Sequence, residues 1–224
     1  MSRLSARRRR AARPALGIIA ALAVSLTVAA DARVPVGNFS GGSLSGWSDK
    51  VFMGHTDYSL VTFDGRTALK AVSQASASGL YKEVHVDLRK TPYLHWSWRI
   101  DHTLGDLRER TTGGDDYPAR VYVVFSGGVF FWRTQAINYV WSSNQPPGST
   151  WKNAFTDNAR MVAVQSGPGS AGRWISERRD VRRDYHRLFD GDAHIVDAVA
   201  IMTDTDNSGK SATAYYGDIW FAAQ

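Results

Sequence analysis

"YLHWSWRI", residues 93–100, alternates without a break. Leu94, Trp96, Trp98 and Ile100 fall on one face, and Tyr93, His95, Ser97 and Arg99 on the other. Side chains of an extended chain point alternately to opposite faces, so this pattern marks a strand with one apolar, buried face. Two tryptophans on that face predict a core between two layers. Outward along the chain the pattern recurs. "ARVYVVF" (119–125) puts Val121, Val123 and Phe125 inward, and "QAINYVW" (135–141), "RMVAVQS" (160–166), "IVDAVAIM" (195–202) and "TAYYGDIWF" (213–221) add four more strands. "YSLVTF" and "TALKAV", split by Asp64-Gly65, read as a hairpin, and "GLYKEVHVDL" follows as a further strand. Only "DVRRDYHRLF" (180–189) reads as a helix, with Asp180 as N-cap and Val181, Tyr185 and Leu188 on one side. Some nine or ten strands with one short helix predict an all-β chain, an antiparallel β-sandwich of the jelly-roll kind.

The first 32 residues stand apart. Six arginines precede the apolar run Ala15–Ala30, and Ala30-Asp31-Ala32 offers a small-x-small exit. That is the layout of a secretory signal peptide. The run is 16 residues, interrupted by Ser25 and Thr27, against about 20 for a membrane-spanning helix. An uncleaved anchor is the alternative, and the consecutive arginines leave the twin-arginine route open. Residues 33–224 are then expected to form a single β-sandwich domain in a bacterial periplasm or outside the cell, with no stable membrane span after cleavage. Without the leader's six arginines and one aspartate, 27 basic and 21 acidic residues become 21 and 20, a net charge of +1. A nucleic-acid partner loses its electrostatic basis. With no cysteine, disulfides and a lipid-anchoring thiol are excluded.

The ends of the sandwich region, "NFSGGSLSGWSDK…DYSLVTFDGRTALKAVS" and "ATAYYGDIWF", resemble the opening and closing segments of galactose-binding-like, carbohydrate-binding jelly rolls. "GGDDYPARVYVVF", "RDVRRDY", "AIMTDTDNSG" and "AYYGDI" are similar to a family of uncharacterised exported bacterial proteins, a domain of unknown function. The resemblance implies an exported β-sandwich and no assigned activity.

Three acidic stretches are candidate sites. Asp204, Asp206, Ser208 and Gly209 match positions 1, 3, 5 and 6 of a calcium loop, whose hard cation wants several oxygens. Position 12, normally a bidentate Glu, is Tyr215, and the preceding segment is a strand. Ca²⁺ is thus the one candidate ion, and a plain polar turn is the alternative. Asp115 and Asp116, beside Tyr117, sit on opposite faces of an extended chain, so they pair with acids from other strands rather than with each other. Asp218 shares a face with Tyr216 on an otherwise apolar strand and needs a partner; Arg99 and Arg120 are the candidates. For stacking on a sugar, Trp132, Tyr139, Trp141 and Trp151 are the candidates for an exposed platform, with burial in the core as the alternative for them, whereas Trp96 and Trp98 belong to the core.

Zinc and phosphate-loop motifs are absent, as is a nucleophile elbow. Only three glutamates occur, Glu83, Glu109 and Glu177, scattered along the chain. The sequence therefore points to non-catalytic binding of a carbohydrate or envelope polymer. The competing readings are a glycan-acting enzyme using an Asp pair drawn from Asp115/Asp116 and Asp204/Asp206, and a structural envelope protein.

Overall fold

A computed structural model describes residues 33–126 and 134–224. The leader and Trp132 lie outside the described residues. The predicted strand at 93–100 is present as β6 (Tyr93–Ile100), and Leu94, Trp96, Trp98 and Ile100 are all fully buried. Its sheet has the order β1 (Val34–Gly37), β14 (Ile219–Ala222), β6, β13 (Ser211–Tyr216), β4 (Arg66–Gln74) and β3 (Asp57–Phe63), with β11 (Ile175–Asp180) on the free side of β6. The second sheet runs β2 (Ser48–Met53), β5 (Ala77–Asp87), β12 (Ile195–Asp204), β7 (Arg120–Phe125), β8 (Gln135–Ser142), β10 (Ala159–Ser166) and β9 (Thr150–Lys152). Both sheets are antiparallel but for one pair: β10 lies parallel to β8, because β9 carries the chain to the sheet edge before β10 returns between them. The all-β, antiparallel sandwich is as expected.

Aromatic rings join the layers. Trp96 stacks on Tyr139 at 5.4 Å and Trp98 leans on Trp141 at 5.9 Å, pairing β6 of one sheet with β8 of the other. Such pairs add about 0.5–1.5 kcal/mol each beyond the apolar area they bury. Tyr139 and Trp141 are fully buried, so they form no exposed platform and the core alternative holds for them; Trp151 is buried as well. Helix α1 (Val181–Phe189) follows the sequence expectation: the Asp180 side chain accepts from the Arg183 N–H, and Asp190 ends it in a left-handed conformation. Tyr185 of this helix packs edge-on against Phe125 at the far end of β7.

The last predicted strand is in fact two. Tyr216 faces the core, and so do Ile219 and Phe221, an odd step that alternation alone cannot make. Gly217 and Asp218 absorb it. The Gly217 N–H bonds the Ser97 carbonyl at 2.8 Å, and a Cβ on Gly217 would lie 2.2 Å from Ser97 Oγ, so only glycine fits against β6 here. Asp218 finds its partner in neither arginine. Its carboxylate accepts from the backbone and hydroxyl of Ser40, pinning the N-terminal turn.

Candidate functional site

Alternation fixes what β7 and β8 present outward. With Val121, Val123, Ile137 and Tyr139 inward, Arg120, Tyr122 and Asn138 project from the opposite face, and Tyr122 and Asn138 are direct cross-strand neighbours. Part of that face is covered. The segment between β6 and β7 lays Tyr117 over Val140, Trp151, Met161 and Ala163, forming a second small core. Buried Glu109 fastens this segment, accepting from the Ser142 hydroxyl and from the Ser143 N–H at 2.6 Å, while its carbonyl accepts from the Tyr117 hydroxyl at 3.0 Å. Burial raises the Glu109 carboxyl above its ordinary range, against the pull of the Ser142 hydrogen bond.

The covering segment delivers Asp115 and Asp116 beside the end of β12. Met202 pairs with Arg120 across the β12–β7 ladder, which leaves Asp204 two residues further, within reach of the guanidinium. Arg120 Nε donates to Asp204 Oδ1 at 2.7 Å and Nη2 to Asp204 Oδ2 and the Asp115 carbonyl; Nη1 donates to Asp115 Oδ2 at 3.4 Å and Tyr122 Oη at 3.1 Å. The guanidinium also lies over the Tyr117 ring, 4.4 Å from its centre. Tyr216 supports the strand from the core side, donating from its hydroxyl to the Met202 carbonyl at 2.7 Å. Asp116 accepts the Asn207 and Ser208 N–H groups at 3.2 and 2.6 Å, ordering the turn after β12. Burial pushes the Asp204 carboxyl up to about 8, only partly opposed by Arg120, with Asp115 and Asp116 adding to the rise. Burial and then the Asp116 charge raise Asp206 as well.

One carboxylate oxygen from each of Asp116, Asp204 and Asp206 lies within 4.8 Å of the others. These are the residues that could hold a metal ion. The sequence placed Asp204 and Asp206 together; Asp116, 88 positions earlier than Asp204, joins them only through the fold. Ser208 brings its backbone to Asp116, and its hydroxyl is buried without a partner.

Arg120, Asp115, Asp204 and Asp206 line a cleft of about 380 Å³, with Tyr122, Asn138, Asn153, Asn207 and Met202. Two rings stand at it, Phe52 from β2 and Phe155 from the β9–β10 turn, 65% and 62% exposed. A second cleft of about 410 Å³, lined by Lys50, Tyr81, Val124 and Ala200 among others, shares Phe52, Tyr122 and Met202 with the first. Two buried oxygens of the first cleft's lining, Asp115 Oδ1 and Asn138 Oδ1, have no hydrogen-bond partner.

Of the residues the sequence singled out, Asp115, Asp116, Tyr117, Arg120, Asp204, Asp206 and Ser208 come together. Tyr139, Trp141 and Tyr216 lie in the core beneath. Asp218 is at the β13–β14 break, and Arg99 is on the other sheet, bonded to Asp101 and to the Gly172 carbonyl. Sequence reasoning missed Tyr122 and Asn138, although alternation about the inward residues of β7 and β8 marks both. Nothing in the sequence marks Phe52 and Phe155 as exposed.

Residues 45–220 match the model of a family described as "Protein of unknown function (DUF3047)". The chain belongs to that family. Its family of unknown function is thus as the motifs suggested. A search of curated proteins gives no match. Among solved structures, it is similar to the cellulose induced protein Cip1 (12% identity, TM-score 0.48, covering 84% of this chain and 96% of that one). It is also similar to the family 30 carbohydrate-binding module of a cellulosomal cellulase of Clostridium thermocellum (10%, 0.47, 86% and 98%). A third is a mutant of a carbohydrate binding module of family 29 (8%, 0.42, 87% and 93%).

Proposed function

We propose that the cleft on the outer face of the second sheet binds carbohydrate without cleaving it, as part of a protein exported to the periplasm or cell exterior. The observation that carries this is the pairing of Asp115 Oδ1 and Asn138 Oδ1, buried acceptors with no donor, with two exposed rings at the same cleft. A buried acceptor left unpaired is costly and calls for an occupant that donates. Sugar hydroxyls donate, and the apolar C–H face of a sugar packs on an aromatic ring. The volume falls within the roughly 300–1,000 Å³ usual for small-ligand pockets, and the adjoining cleft suits a chain of more than one sugar. Among the described residues no helix is long and apolar enough to cross a membrane.

A glycan array followed by calorimetry tests this. Phe52→Ala and Phe155→Ala are expected to weaken binding by about tenfold or more while leaving the melting temperature unchanged, since both rings are exposed. Absence of any bound glycan overturns the reading, and release of reducing ends from a bound glycan replaces it with the enzymatic one.

A second reading is favoured by the convergence of Asp116, Asp204 and Asp206: a divalent cation, Ca²⁺ by the hardness of its all-oxygen ligands. It predicts a melting temperature that rises with added Ca²⁺ and falls with EDTA. An identical midpoint in both removes the ion.

A further inference from the structure

We infer that the glycan taken by this cleft is positively charged, a chain bearing free amino groups such as deacetylated amino sugars. This rests on the carbohydrate reading and narrows it. Arginine has five N–H donors. In Arg120 all five are committed inside the protein, to both Asp204 oxygens, Asp115 Oδ2, the Asp115 carbonyl and the Tyr122 hydroxyl oxygen. Among the described lining residues it is the only cation, and Asp115, Asp204 and Asp206 face it. The lysine of the neighbourhood, Lys50, lines the adjoining cleft and lies over the Phe52 ring.

An anionic sugar, whether uronate, sulfate or phosphate, would therefore meet three carboxyl groups and find no guanidinium fork to receive it. The two buried lining atoms without a partner are both acceptors, on Asp115 and Asn138, 4% and 1% exposed. What they lack is a donor. An ammonium group is donor-only, with three N–H bonds and a full positive charge. It answers the orphaned oxygens and the surplus of carboxyls together, whereas a hydroxyl answers only the first. Asp206 contributes to that surplus without a hydrogen bond to Arg120: its carboxyl is held by the Asn207 amide at 3.3 Å, by its own backbone N–H and by Asp116.

The test compares a glucosamine oligomer, its N-acetylated counterpart and an oligogalacturonate by calorimetry on the full chain. EDTA is present throughout, so that no metal ion supplies the positive charge. The amine-bearing chain is expected to bind about tenfold or more tighter than the acetylated one. That advantage should shrink as salt is raised, and the uronate chain should not bind. Asp206→Asn is expected to remove most of the preference while retaining the acetylated chain. Should that variant fail to fold, the salt dependence of the wild type decides alone. Equal affinities, a preference for the acetylated or uronate chain, or a preference indifferent to salt overturns the inference and leaves the carbohydrate reading standing. If no glycan binds at all, the broader reading falls first.

Discussion

Arg120 and its carboxyl partners act as one unit. Arg120 is 3% exposed, and Asp115, Asp116 and Asp204 are buried with it. Arg120→Ala would leave the Asp115 and Asp204 carboxyl groups in the interior without their donors, and orphaning a buried acceptor costs about 1–3 kcal/mol, more where it is ionised. Urea unfolding of the variant should show that loss. Arg120→Lys should recover little of it, because a lysine has three donors and no planar fork for Asp204. A wild-type midpoint for either variant would contradict the pairing. Part of this unit was visible in the sequence. Acids spaced by two and followed by glycine announce a polar turn, and Arg120 lies off the inward face of its strand. Its partners were not visible, because Asp115 and Asp204 meet at Arg120 only when two loops 89 positions apart in the chain are laid side by side.

Among the elements, the break between β13 and β14 decides where side chains go. Gly217→Ala would place a methyl group against Ser97 Oγ, an overpacking that costs about 1–3 kcal/mol. The clash is specific: the next atoms, Ser97 Cβ and O, are 3.5 and 3.6 Å away, which is ordinary contact. The double variant Ser97→Ala/Gly217→Ala should therefore recover much of the loss in thermal unfolding; equal destabilisation of single and double variants would refute that account. This is also where the sequence misled. Reading "TAYYGDIWF" as one strand puts Asp218 on the face of Tyr216, whereas the bend turns it toward Ser40. Strands with uninterrupted alternation, β6, β7 and β8, were legible to within a residue or so. The short strands β1, β2, β9 and β11 were not, since none has enough alternating residues to stand out from a turn, and the parallel entry of β10 beside β8 depends on a crossover that periodicity does not encode. Tyr139 and Trp141 went wrong for a related reason. Their neighbouring proline-rich loop suggested exposure, but the rings follow the inward phase of β8 and meet Trp96 and Trp98.

For the whole molecule, four buried or half-buried carboxyls among the described residues titrate in the same sense. Glu109, Glu177, Asp204 and Asp206 are each raised by burial, Asp204 to about 8. Each binds its proton more tightly folded than unfolded. The stability they contribute is complete below the unfolded value near 4 and is lost as pH rises through the folded value. Asp87, held low by Arg89, has the opposite sense and acts below that window. The melting temperature should thus decline between about pH 5 and pH 8.5, and Asp204→Asn should flatten the decline; a midpoint that climbs over this range would refute the assignment. Strand β2 has a different consequence for the assembled protein. It is the outermost strand of its sheet, all six of its residues are exposed, and it ends in Val51-Phe52-Met53. A greasy strand with one row of amides open to solvent is a template for its own kind. Concentrated solutions should scatter light increasingly with time, and Phe52→Lys or a saturating ligand should keep them clear.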